Sequence, residues 1–246
     1  MLRGVLIFLA LFGATGAGAQ ECRDIRFDDN RYSVCEVDVS QSELRLFLND
    51  KDGNLLGQFS AINRALEGEG RQLAFAMNAG MYHRDRAPVG YYTENGVQAM
   101  RIIPNAGPGN FGMLPNGIFC ISPGRAEVIE TLEFVERDPD CTYATQSGPM
   151  LVIDGALHPK FFPESTSRYV RNGVGTSADG KRAVFVISRN AVTFYDFGRL
   201  FRDELKVPNA LYFDGNVSRL YAPELRRNDA GFPMGPVVGV VIPRSE

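Results

Sequence analysis

Leu44, Leu46 and Leu48 recur at every second position and run into Asp52-Gly53, the period expected of a half-buried strand that ends in a turn. Eight more apolar runs predict strands at Leu73–Met77, Val89–Glu94, Val97–Ile103, Ile118–Ile121, Met150–Ile153, Ala183–Ser188, Ala210–Phe213 and Val237–Val241. Seven Asn-Gly or Asp-Gly pairs, starting at positions 52, 95, 116, 154, 172, 179 and 214, punctuate this pattern. Such pairs accept the positive φ angles of tight hairpins, so their number favours a strand-rich fold. In two places the period lengthens. A short helix is predicted after Ser60, ending near Gly68, and a longer one from Phe194 to about Leu205. In the second, Phe194, Phe197, Phe201 and Leu205 share a face, and Thr193 with Asp196 fits a capping box. The pattern predicts an α+β fold: one strand-rich domain with mixed or antiparallel sheet and a few helices packed on one side.

The N-terminus follows a different pattern. Met-Leu-Arg leads into an apolar run from Val5 to Phe12, then into small residues ending Ala17-Gly18-Ala19, the layout of a secretory signal peptide cleaved after Ala19. The run falls short of the roughly 20 residues a membrane span needs, and no later segment reaches that length. The expected organisation is a signal peptide, residues 1–19, and one domain, residues 20–246, periplasmic or secreted and without stable membrane insertion after cleavage. With 44% apolar residues and no linker-like break or repeat, that length can bury one full core. Arg3 is the one charge in the first 19 residues, so cleavage takes the net charge from −3 to −4. The remaining signs are interleaved, and the absence of a basic stripe argues against nucleic acid as a partner. Four cysteines in an exported chain predict two disulfides; three pairings are possible, and Cys22 with Cys35 and Cys120 with Cys141 are nearest in sequence. Cys-x-x-Cys spacing is absent and His83 and His158 are the only histidines, so neither a metal nor another cofactor is predicted. Oligomeric state is not legible at this level.

Several familiar motifs can be set aside. Gly107-Pro108-Gly109-Asn110-Phe111-Gly112 matches G-x-G-x-x-G, but no helical pattern follows and Pro115 comes within three residues, which argues against a dinucleotide site. A G-x-S-x-G elbow, an H-E-x-x-H pair and a P-loop are all absent. What stands out instead are polar and glycine residues set directly beside apolar strands, at Met77–His83, Asn110–Gly117, Thr145–Met150, Arg168–Gly175 and Leu211–Ser218. A carboxylate, amide or hydroxyl next to glycine at a strand end lets side chain and backbone approach a ligand together. Their order is Asn78-Ala79-Gly80, Pro88-Val89-Gly90, Gln146-Ser147-Gly148-Pro149, Arg171-Asn172-Gly173-Val174-Gly175, Asp214-Gly215. It resembles the phosphodiester glycosidase family from about Leu73 to Val241, and looks closest to the bacterial exported members. The family's Leu-Asp-Gly-Gly-x-Ser-Ser segment stands here as Phe213-Asp214-Gly215-Asn216-Val217-Ser218, with the second glycine lost.

The resemblance implies a hydrolase that breaks the bond between a sugar's anomeric carbon and a phosphodiester, releasing free sugar and a phosphate monoester. A carbohydrate phosphodiester is then the expected partner. A phosphate monoester, with a second pKa of about 6, leaves far more readily than a sugar alkoxide, so less acid assistance is required than the carboxylate pair of ordinary glycosidases supplies. Asp214 is the expected general base or nucleophile, and Arg171 the expected holder of phosphate oxygens, stabilising charge on the leaving group. Asn78, His83, Gln146, Ser147, Asn172 and Ser218 are expected to bind substrate, the amides and Ser147 by hydrogen bonds, while Gly80, Gly148, Gly173 and Gly215 permit close backbone approach. Plainer readings stand beside these: a hairpin turn for Asp214, an ion pair for Arg171, turn chemistry for the rest. Glu94 is the best-placed second carboxylate, although its position before Asn95-Gly96 suits a solvent-facing hairpin equally well. Two other functions compete. One is a non-catalytic binder of envelope glycans or phosphosugars, which needs Arg171 and the amides but not Asp214. The other is a serine-type hydrolase on Ser147, which lacks an elbow and a histidine at an identifiable spacing.

Overall fold

A computed structural model describes residues 19–244; the predicted signal peptide, apart from Ala19, lies outside the described residues. Strands β1 (Gln20–Phe27) and β2 (Asn30–Asp38) form a hairpin through Asp28 and Asp29, both at positive φ. β3 (Glu43–Phe47) and helix α1 (Phe59–Glu67) lead to β4 (Arg71–Asn78). Next come β5 (Tyr92–Glu94), β6 (Val97–Met100), β7 (Gly117–Ser122), β8 (Arg125–Glu130) and helix α2 (Thr131–Arg137). β9 (Tyr143–Ser147), β10 (Met150–Ile153), β11 (Ala156–Leu157), β12 (Asn172–Thr176) and β13 (Arg182–Ser188) follow. Helix α3 (Phe194–Arg199) runs on as a π-helix over Leu200–Glu204. β14 (Asn209–Asp214), β15 (Leu220–Ala222), β16 (Arg227–Asn228) and β17 (Val237–Pro243) complete the chain.

The strands build three antiparallel sheets, in the orders β1-β2-β13-β12-β14-β10-β11, β16-β15-β4-β17-β3 and β6-β5-β9-β7-β8. Alternate residues of each sheet meet in one shared core, where Phe185 and Ile187 of β13, Leu211 and Phe213 of β14, Phe75 and Met77 of β4, and Phe119 and Ile121 of β7 pack together. The intervening residues face outward onto helices. Val184, Val186, Ala210 and Tyr212 lie under Phe197, Leu200 and Phe201 of α3 and its extension. Leu73, Val237 and Val241 lie under Phe59, Ile62 and Leu66 of α1, and Ile118 and Cys120 under Phe134 of α2. One strand therefore serves two cores, which is why so many strands read as unbroken apolar runs rather than as alternation.

Both disulfides join the cysteines nearest in sequence. Cys22 and Cys35 are cross-strand partners in the first hairpin, with Cα atoms 4.0 Å apart, and Cys120–Cys141 ties β7 to the chain entering β9. On the chain-entropy account each such short loop contributes about 3 kcal/mol, useful where β1 is an edge strand. Among the described residues no helix is long and apolar enough to cross a membrane.

The predicted capping box at Thr193 and Asp196 is present. Two predicted strands are shorter than expected, Val89–Glu94 beginning at Tyr92 and Val97–Ile103 stopping at Met100. Their missing ends are held by Gln146 instead: its Oε1 accepts from the N–H groups of Tyr91 and Ile103, and its Nε2 donates to the Ile103 carbonyl. Four of the seven Gly pairs make turns with glycine at positive φ, at Gly53, Gly96, Gly155 and Gly180. Neither residue of Asn116-Gly117, Asn172-Gly173 or Asp214-Gly215 adopts positive φ, and Asn116, Asn172 and Asp214 are buried at strand ends. The turn reading therefore does not describe Asp214.

Candidate active site

β14 ends at Asp214, beside the first residue of β12, Asn172. Tyr212, two residues earlier on the strand, pairs with Gly173, so the register of β14 against β12 shifts by one residue between Tyr212 and Asp214. Asp214 is 9% exposed, and its Oδ1 accepts hydrogen bonds from the backbone N–H groups of Gly215 (2.6 Å) and Asn216 (2.9 Å). Burial pushes its pKa up, and the N–H groups of Asn216, Gly215 and Val217 restrain the rise. The result is a carboxylate that is held in place and more basic than a surface one.

Asp214 lies on a cleft of about 450 Å³ that Tyr82, Asn110, Phe111, Ser167, Tyr169 and Tyr212 also line. Four of the five polar clusters thus converge, although long stretches of chain separate them. Asp214 is the only carboxylate lining the cleft among the described residues. A larger hollow of about 750 Å³ beside Glu43, Arg71 and Glu224 is away from these clusters, and Glu43 and Arg71 there pair with each other.

The amides behind Asp214 are used within the protein. The Asn172 Oδ1 accepts from the Asp214 N–H at 3.1 Å, and its Nδ2 donates to the Asn78 carbonyl at 2.9 Å. The Asn78 Nδ2 donates to the Val217 carbonyl (2.6 Å), and its Oδ1 accepts from the Arg219 N–H (2.9 Å). Ser218 Oγ donates toward the carbonyls of Asp214 and Val170. Together they pin both ends of the loop that carries Asp214. Ser147 Oγ is buried and donates to the Phe213 carbonyl at 2.8 Å, so it stands as a strand tie and not as a free nucleophile. Gly148 packs against Asn116, and Gly80, at φ 126°, against Thr145. A Cβ on Gly173 would press on the Leu211 carbonyl of the neighbouring strand at 2.5 Å. His83 is exposed in the turn beyond Tyr82 and does not line the cleft.

Arg171 is 1% exposed and is not part of the cleft lining. Its Nε donates to the Val192 carbonyl (2.9 Å) and its Nη2 to the Ser167 carbonyl (3.0 Å), while the guanidinium lies 3.6 Å over the Phe194 ring. The edge expected to grip phosphate is therefore occupied by backbone. Tyr212 lies against the guanidinium, yet Nη1 is buried without a partner in hydrogen-bond geometry. Burial lowers the pKa, but a guanidinium keeps its charge in proteins. No carboxylate among the described residues pairs with it, in contrast to the ion-pair reading.

Residues 71–240 match the model of the phosphodiester glycosidase family. The chain belongs to that family. It is 32% identical over 222 residues to the Escherichia coli protein YigE, across 89% of this chain and 85% of that one. Its fold resembles the catalytic domain of zebrafish N-acetylglucosamine-1-phosphodiester alpha-N-acetylglucosaminidase, solved as auto-inhibited by its pro-peptide. The TM-score there is 0.62 at 13% identity, over 92% of this chain and 84% of that one. A Synechocystis protein matches with TM-score 0.58 at 12% identity, over 91% and 62%. At such identities the likeness is one of fold.

Within this phosphodiester glycosidase domain, Glu94 lies away from the cleft, beside Arg45 and Tyr143, and accepts from the Tyr92 hydroxyl at 2.8 Å. Tyr82, Tyr169 and Tyr212 were not among the predicted site residues, although all three sit within the polar clusters and line the cleft. His158 is buried and stacked on Phe161 with ring centroids 4.8 Å apart; its Nδ1 accepts from the Lys160 N–H and its Nε2 has no partner in hydrogen-bond geometry. Desolvation lowers its pKa to about 4. The unfolded chain therefore takes up this proton first, and stability present above the ordinary value of about 6.5 is lost as pH falls toward 4, by about 3 kcal/mol at most. Melting temperatures measured across that window should fall in the parent and fall less in His158→Met; equal slopes would remove His158 as the cause.

Proposed function

We propose that this chain hydrolyses the bond between a sugar's anomeric carbon and a phosphodiester, releasing free sugar and a phosphate monoester. The reading rests on one observation: a single basic carboxylate in an aromatic-lined cleft, with a buried, carboxylate-free guanidinium behind it. Asp214 acts as general base on an attacking water, or as nucleophile at the anomeric carbon. The monoester departs as a stable anion, so the cleft functions without a second carboxylic acid. Positive potential from Arg171, undiluted by a counter-ion, favours that anion in a poorly solvated site. The rings of Tyr82, Phe111 and Tyr169 offer apolar faces for a sugar, and Asn78, Asn172, Gly215 and Ser218 hold the Asp214 loop. The two disulfides fit an exported protein, and we place the domain, residues 20–246, in the periplasm or outside the cell after loss of residues 1–19.

Incubation with a chromogenic sugar 1-phosphodiester, the matching aryl glycoside and an aryl ester tests this reading. The phosphodiester alone should be turned over. Ester hydrolysis would point to serine chemistry, and binding without hydrolysis across several sugars to a phosphosugar-binding protein.

A further inference from the structure

Arg171 does not line the cleft, but Tyr212, itself only 1% exposed, lines it and lies against the guanidinium. We propose that the Tyr212 hydroxyl donates a hydrogen bond to an anionic phosphate oxygen of the bound ligand, making Tyr212 a substrate-contacting residue and Arg171 the residue that positions it. This inference rests on the phosphodiester reading of the same cleft and names the group that meets the phosphate.

Placement comes first. Tyr212 and Asp214 both line the cleft, across a register shift in the pairing of β14 with β12. Its hydroxyl stands directly over Gly215, where any Cβ would collide with it, so the phenol oxygen adjoins the loop whose N–H groups hold the carboxylate. Orientation follows from the partner behind. The Arg171 Cζ is 5.5 Å from the Tyr212 ring centroid, and its one unpartnered nitrogen, Nη1, is buried. No Arg171 nitrogen is in hydrogen-bond geometry with the Tyr212 hydroxyl, but the ring lies against a guanidinium that carries donors only, so the cation favours a phenol lone pair facing it and the O–H proton turned away. Phe194 fixes the ring edge-on at 4.8 Å and 84°, which leaves it little freedom to swing away. Burial raises the Tyr212 pKa; the Arg171 charge pulls it down and the Asp214 charge pushes it up, and the net direction is upward, so the phenol keeps its proton and serves as donor, not base. Arg171 and Asp214 both act on this one hydroxyl, which makes it the physical link between the buried cation and the reacting side of the cleft.

Tyr212→Phe keeps the ring and its packing and deletes only the hydroxyl. Calorimetric titration with a panel of sugar 1-phosphates, including those of glucose and N-acetylglucosamine, should show parent affinity weakened about tenfold or more in the variant, as expected of one hydrogen bond to a charged group. Affinity for the corresponding free sugars and the melting temperature should be unchanged, which a merely structural role would not produce. Gly215→Ala, which leaves the hydroxyl in the chain but pushes it aside, should weaken the same ligands. Should Tyr212→Phe bind the panel as tightly as the parent, or the parent bind none of it, the inference is wrong. Weakened binding by the variant with no hydrolysis by either protein supports the contact and removes only the proposed reaction.

Discussion

Asp214→Asn should lower hydrolysis of a sugar 1-phosphodiester by about 10²–10⁴-fold and leave the fold intact. Asparagine has nearly the same size, and its Oδ1 can still accept from Gly215 and Asn216 as the carboxylate does. What it loses is basicity. The direction of the stability change follows from the raised pKa of the buried carboxylate. The folded state holds the Asp214 proton more tightly than the unfolded chain, so stability declines as pH rises through that raised value. The neutral variant escapes this cost, and at neutral pH its melting temperature should equal or exceed that of the parent. The acid limb of the parent's pH–rate profile should likewise lie above the ordinary carboxylate value. Parental turnover in Asp214→Asn would end the assignment of base or nucleophile. A collapse in melting temperature that parallels the activity loss would reduce Asp214 to a loop-folding role.

Arg171→Lys should cost both turnover and stability. A lysine retains the charge, but it cannot lie flat on Phe194 while reaching the carbonyls of Val192 and Ser167. One hydrogen bond from a charged donor, if left unmade in a buried place, costs about 1.5–3 kcal/mol, which corresponds to a fall of about 3–12 °C in melting temperature for a domain of this size. The residue types alone suggest that turnover suffers more than folding; the buried fork adds the second effect. Rates taken well below the variant's melting temperature separate the two. There we expect a loss of about tenfold or more, because Tyr212 loses the planar guanidinium packed against it. Activity within about twofold of the parent, with the lower melting temperature, would make Arg171 a purely structural clamp.

Much of the fold was legible because burial imposes a period on the chain. Unbroken apolar runs mark strands buried on both faces, and the Phe194–Phe201 spacing with its Thr193 cap marks the helix that covers Tyr212. The cysteine pairing was legible for a similar reason, since short loops bring sequence neighbours together. β9 and β12 were not legible as strands. Gln146, Ser147, Asn172 and Gly173 interrupt their apolar pattern, and these residues are tolerated there only because other elements supply partners: Tyr91 and Ile103 for Gln146, Phe213 for Ser147, Asn78 for Asn172.

The site divides along the same line. Sequence by itself determined the family, the candidate carboxylate Asp214 and the candidate cation Arg171, since residue type and local order survive without knowledge of distance. Which polar residues line the cleft and which are used up inside the protein was decided by tertiary structure alone. Asn78, Gln146, Ser147 and Asn172 carry the chemistry of binding residues, yet their donors and acceptors close on one another and on backbone. Buried polar groups must find partners, and those partners lie tens of residues away in the chain. Tyr82, Tyr169 and Tyr212 carried no sequence signal of their own, and only the folded chain brings them to one cleft. Arg171 read as a phosphate grip until packing sealed it behind Tyr212, because only the folded chain fixes which face of a side chain remains open.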